Sequence, residues 1–155
     1  MQPSQEGVRP LILLIENDEA DIFLFRRALS KMGFQGDLRV VGSVSEARAY
    51  MENTGTFTDT NYYRTPDLIV SDFRLSGPTA LEFIRWLRNT KFSALPVVIF
   101  SGTVRPSELP RLNEMGVKEV IYKNPDVTLL AARLEAMLPH VLMGLFTIGI
   151  VSYAA

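Results

Sequence analysis

Cysteine is absent from the 155 residues, which excludes disulfides and thiolate metal centres and points to a reducing compartment, the cytoplasm. A single histidine, His140, leaves no imidazole cluster for a metal, and its place straight after Pro139 reads as a surface position. An excess of one charge is missing too. Sixteen Lys and Arg face seventeen Asp and Glu, so no bulk field attracts nucleic acid or an anionic membrane. No glycine-rich loop follows the first apolar run, which argues against a nucleotide-binding loop. The tail 141–155, "VLMGLFTIGIVSYAA", carries no charge; its fifteen residues fall short of the ~20 of a membrane-spanning helix, and extending it backwards meets His140, Pro139 and an amphipathic helix.

What the chain does have is alternation. Its length suits one domain, and 47% hydrophobic residues is an ordinary share for a folded one. "LILLI" (11–15) is a continuous β-type run, as in a strand covered on both faces. Ile22, Phe25, Leu29 and Met32 then recur at helical spacing, and Gly33 stops the pattern. "LRVVG" (38–42) is a second strand. Ser43 with Glu46 reads as a capping box opening a helix that turns Val44, Ala47 and Met51 inward. Residues 53–66 form a polar loop, in which Tyr62 and Tyr63 cover a core edge. "DLIVSD" (67–72) is a third strand, followed by a Gly77–Pro78 turn and a second capping box, Thr79 with Glu82. The helix after it buries Leu81, Ile84 and Leu87, with Trp86 partly buried. "PVVIFSG" (96–102) is the fourth strand. A short helix over 106–115 carries Pro106 and Pro110 and ends at Gly116. "EVIYK" (119–123) is the fifth strand, and Leu130, Leu134 and Met137 line a last helix. The pattern predicts an α/β fold: a doubly wound, flavodoxin-like, five-stranded parallel sheet in a three-layer sandwich.

In such sheets ligands bind at the carboxyl ends of the strands. The first strand ends on Glu16, Asn17 and Asp18, the third on Asp72, the fourth on Ser101 and Thr103, and the fifth on Lys123. Oxygen ligands, one hydroxyl and one ammonium suit phosphoryl transfer assisted by a hard cation. An aspartate can attack phosphorus to form an acyl phosphate. A divalent cation offsets the repulsion between the two anions, and a lysine supplies a further point charge. Asp18 alone could equally be a helix N-cap. The agreement of four strand ends carries the reading.

These motifs, "LLIEND", "PDLIVSDFRLSG", "VVIFSG" and "VIYKN", resemble those of response-regulator receiver domains, the phosphorylation modules of two-component signalling. The likeness runs from about Leu11 to Leu138. The polar loop before the third strand is similar to that of small single-domain receivers that partner bacterial phytochromes and other histidine kinases. The resemblance implies that Asp72 is the phosphoacceptor, with Ser101 the hydroxyl that reorients and Lys123 the family's lysine. It implies a magnesium ion held by Glu16, Asn17, Asp72 and the backbone carbonyl of Arg74. A histidine kinase or phosphotransfer protein would be the donor. A lone receiver would then be a signalling phosphoacceptor rather than an enzyme, acting by contact.

Four positions depart from the family pattern. Asn17 replaces an aspartate and brings an oxygen without charge, unless Asp18 swings in. Ser76 replaces a proline. Asn124 follows the lysine, with Pro125 one place later, so a cis bond after Lys123 is costly. Val120 stands at the aromatic switch position, so the usual coupling of hydroxyl to ring cannot operate in its ordinary form. The alternative function is therefore a phosphorylation-deficient pseudo-receiver serving as a binding module. A haloacid-type hydrolase is opposed by Arg74, where a second aspartate is needed. The expected organisation is a flexible arm (1–10), a receiver domain (11–139) and a hydrophobic tail (140–155). The tail is expected to pack on its own domain or on a second copy, with a membrane-associated or a disordered end as the alternatives. A homodimer would form through that tail or through the face of the fourth helix, fifth strand and fifth helix.

Overall fold

The computed structural model describes residues 9–75, 79–142 and 151–153, the last for the backbone alone. Residues 1–8 of the expected arm, the Ser76–Gly77–Pro78 turn, and tail residues 143–150 and 154–155 lie outside the described residues.

The continuous apolar runs become strands because both faces of each are covered. They are β1 (Leu11–Ile15), β2 (Asp37–Val41), β3 (Leu68–Ser71), β4 (Val97–Ser101) and β5 (Val117–Tyr122). The helices are α1 (Glu19–Lys31), α2 (Val44–Glu52), α3 (Ala80–Arg88), α4 (Leu109–Glu114) and α5 (Val127–Leu142). A short β6 (Val151–Tyr153) adds a strand at the β5 edge, beyond the five expected. The sheet is parallel, in the order β2-β1-β3-β4-β5-β6. The expected doubly wound α/β architecture is present.

Two apolar layers flank the sheet. One face meets α2, α3 and α4 through Leu13, Ile15, Ile69, Ile99 and Val120, packed on Tyr50, Phe83, Ile84 and Leu112. The other meets α1 and α5 through Ile12, Leu14, Val70 and Phe100, packed on Phe25, Leu130, Leu134 and Met137. Phe25 and Phe100 stack at a tilt with centroids 5.4 Å apart. Each fully buried side chain of this size stabilises the fold by roughly 1.5–3 kcal/mol relative to exposure.

Local differences have local causes. In α3, Phe83 rather than Leu81 fills the core, and Leu81 is half-buried. The Thr79–Glu82 capping box forms in both directions. At α2 only half does: Ser43 accepts from the Glu46 N–H, but the Glu46 carboxylate reaches the N–H of Gly42 instead. The region around Pro106 and Pro110 splits into a 3₁₀ turn (Pro106–Glu108) and the short α4. β5 begins at Val117, two residues early, and stops one residue before Lys123. Helix α5 continues through Pro139 to Leu142, so the expected boundary at 139 falls inside a helix. Tyr63 packs against Tyr50 and Phe57 as expected of a core cover. Tyr62 lies exposed beneath the Arg39 guanidinium, 3.8 Å from its ring centroid.

Arg88, at the end of α3, was not legible as structural. Its guanidinium donates to the carbonyls of Ser93, Leu95, Met115 and Gly116. This ties the turn after α3 to the turn before β5.

Candidate functional site

Parallel register sets the site. Ile15 pairs with Ser71, and Ser101 with Tyr122, so four strands finish at one edge. The backbone ladder runs one residue further. Glu16 N donates to Val41 O at 2.9 Å, Asp72 N to Ile15 O at 3.0 Å and Lys123 N to Ser101 O at 3.1 Å. Three predicted site residues thus have their backbones fixed by the neighbouring strand.

Their side chains meet at the Lys123 ammonium. Nζ lies 2.9 Å from Glu16 Oε2, 3.3 Å from Asp72 Oδ2 and 2.7 Å from Asp21 Oδ2. Glu16 is 1% exposed and Asp72 8%. Glu16 Oε1 accepts from the N–H groups of Asn17 and Asp18. Its Oε2 is buried and has only the ion pair, without a directed hydrogen bond. Burial raises the pKa of Glu16; the Lys123 ammonium and the Asp18 N–H oppose the rise, and the Asp72 charge adds to it. For Lys123 burial disfavours the cation, but the hydrogen bond to Asp21 and the close contact with the Glu16 carboxylate outweigh it and the pKa rises.

Ser101 is buried at the same edge, but its hydroxyl is paired with Thr103, Oγ to Oγ1 3.1 Å, and accepts from the Thr103 N–H at 3.2 Å. Thr103 Oγ1 also accepts from Arg74 Nε at 3.1 Å, and the Arg74 guanidinium lies 3.5 Å from Glu108 Oε1. A polar chain therefore leads from Ser101 to the 3₁₀ turn before α4. The Arg74 N–H points at Asp72 Oδ1 from 3.5 Å. Asp18 is the N-cap of α1, its Oδ1 accepting from the Asp21 N–H at 2.9 Å. Asn17 is exposed beside it. Val120 is fully buried in the layer that meets α2, α3 and α4.

Asp21 is the residue that reading strand ends missed. It sits on the first turn of α1, and only the helical phase brings it over Lys123. The acid-rich "ENDEAD" (16–21) was the available signal.

Among the described residues no three His, Cys, Asp or Glu side chains converge as a metal-ligating group. The expected set needs only two carboxylates, and its oxygen-only donors suit a hard cation. Three carboxylates around one ammonium leave the cluster net negative. With the buried Glu16 Oε2 held by an ion pair and no directed hydrogen bond, the residues present fit a divalent cation.

Residues 12–135 match the model of the response regulator receiver domain. The chain is 30% identical over 145 residues to the phosphate regulon transcriptional regulatory protein PhoB of Rhizobium meliloti (strain 1021), covering 90% of this chain and 59% of that protein. It thus spans well under two thirds of that relative's length. The phosphorylated cyanobacterial phytochrome response regulator RcpA superposes with a TM-score of 0.75 at 22% identity, covering 92% of this chain and 99% of that one. The Mn(2+)-bound form of response regulator Rcp1 does so at 0.72 and 19%, covering 86% and 94%. At these identities the two structures establish the fold.

Proposed function

The chain belongs to the response regulator receiver domains of two-component signalling, and from that premise we propose that Asp72 accepts a phosphoryl group from a histidine kinase or phosphotransfer protein. The observation that carries this is the Lys123 ammonium, 3.3 Å from Asp72 and 2.9 Å from Glu16 at the strand ends. An Asp72 carboxylate oxygen forms the new O–P bond as the donor's P–N bond breaks, its electron pair returning to the imidazole. Lys123 is placed to hold a phosphoryl oxygen, and the Ser101 hydroxyl to exchange Thr103 for another. Glu16, Asn17, Asp72 and the Arg74 carbonyl would hold magnesium. When bound, the ion offsets the negative charge that keeps two anions apart.

A small phosphodonor with magnesium should add one phosphate to the intact protein by mass. Asp72→Asn should add none. A wild-type chain that gains nothing at any magnesium concentration would leave a binding module on a receiver fold.

Output by contact, in the cytoplasm, completes the reading. No described helix is long and apolar enough to cross a membrane. The support for self-association is the uncharged tail, although its β6 backbone lies alongside β5 of the same chain. Light scattering should give a dimer for the full chain and a monomer for one ended at Leu142. Equal masses would remove the tail from the assembly.

A further inference from the structure

We propose that Asp21, outside the ligand set above, is a positioning residue that holds the Lys123 ammonium and cancels its charge, leaving Glu16 and Asp72 their full negative charge for a divalent cation. The inference rests on the phosphoacceptor reading and names a residue that controls its cation. Asp21 Oδ2 makes the shortest of the three contacts to Nζ, 2.7 Å against 2.9 and 3.3 Å. It is a true hydrogen bond. The three protons of an ammonium thus face three carboxylates.

The charge count gives the contact its purpose. Glu16 and Asp72 against Lys123 leave one net negative charge, because Asn17 brings none. Asp21 makes it two, the match for a divalent ion. Without Asp21 the ammonium would be shared between the two carboxylates the cation needs, and would compete with it. Asp18 cannot take this part while its carboxylate caps α1. Asp21, by contrast, is pinned by that cap through its own N–H, and its side chain is 27% exposed while that of Glu16 is 0% exposed. The charge lent by Asp21 therefore reaches the cluster from its solvent side, where salt can screen it.

The test is Mg2+ binding by calorimetry on the full chain, for wild type, Asp21→Asn and Asp21→Glu, at low and high ionic strength. The amide keeps an acceptor oxygen for Lys123 and removes only the charge, and an unchanged urea midpoint checks the fold. The Kd for Mg2+ should rise roughly tenfold in Asp21→Asn at low salt, and the gap should shrink at high salt. Asp21→Glu should recover most of the affinity. A Kd within twofold of wild type overturns the proposal. So does a loss that ignores salt and is not rescued by glutamate, which marks a structural role. Wild-type protein that binds no Mg2+ overturns the cation reading itself, and this proposal with it.

Discussion

Lys123→Met should destabilise the folded chain by about 3 kcal/mol at pH 8, because removing one partner of a buried ion cluster strands the others. Three carboxylates face that ammonium, and the Glu16 side chain is fully buried. Partial exposure of Asp21 and Asp72 keeps the figure at the low end of what buried pairs show. The raised pKa of Lys123 means that its contribution is complete below the ordinary lysine value of 10.5 and is lost only as pH climbs through the folded value. A measurement at pH 8 therefore sees all of it. In the variant the repulsion exists only while the carboxylates are ionised. Glu16, already raised by burial, loses its charge on acidification, so the gap from wild type should narrow toward pH 4. Added Mg2+ should recover more of the urea midpoint in the variant than in wild type, since it binds the folded state of a more negative cluster. A loss that is equal at both pH values and indifferent to Mg2+ would mean the lysine acts through its aliphatic stem.

What could be read in advance follows from period and position. "LILLI", "LIVS" and "VVIFS" announce buried parallel strands because both faces of each are apolar, and every residue in them is buried. Glu16, Asp72, Ser101 and Lys123 were findable because a parallel sheet carries its strand ends to one edge. Asp21 was not, since a helical side chain's direction depends on where the helix starts, and Asp18 as N-cap sets that start. The Ser101 hydroxyl was placed, but its partner was not: a rotor can serve any acceptor nearby, and Thr103 has it. Arg88 read as one more surface cation because its four acceptors are backbone carbonyls, which no sequence pattern displays.

Val120 shows how a departure is absorbed. The core that meets α2, α3 and α4 encloses it completely. The neighbouring aromatic, Tyr122, is the Cα partner of Ser101 across the β4–β5 pair and packs on the same layer. The polar chain Ser101–Thr103–Arg74–Glu108 supplies a second connection, from the strand edge to the 3₁₀ turn before α4.

Glu119→Gln should stabilise the chain, by up to about 3 kcal/mol at pH 8.5 and by almost nothing at pH 4. Glu119 lies in β5 as the Cα partner of Val98, a residue of the α1–α5 layer, and is 9% exposed with Oε2 lacking a hydrogen-bond partner. Desolvation alone pushes its carboxyl from 4.5 up to about 7. Between those values the folded chain keeps a proton that the unfolded chain has released, so stability falls as pH rises through the window. Above it the ionised carboxylate stays in an apolar setting at the full cost, about 1.4 kcal/mol for each unit of the shift. Glutamine has nearly the same shape and no charge to desolvate, so the variant escapes a penalty present only at high pH. Urea midpoints of both proteins at pH 4 and 8.5 would measure this. A variant that gains equally at both pH values, or loses at both, would show that Glu119 is not buried as an acid in solution.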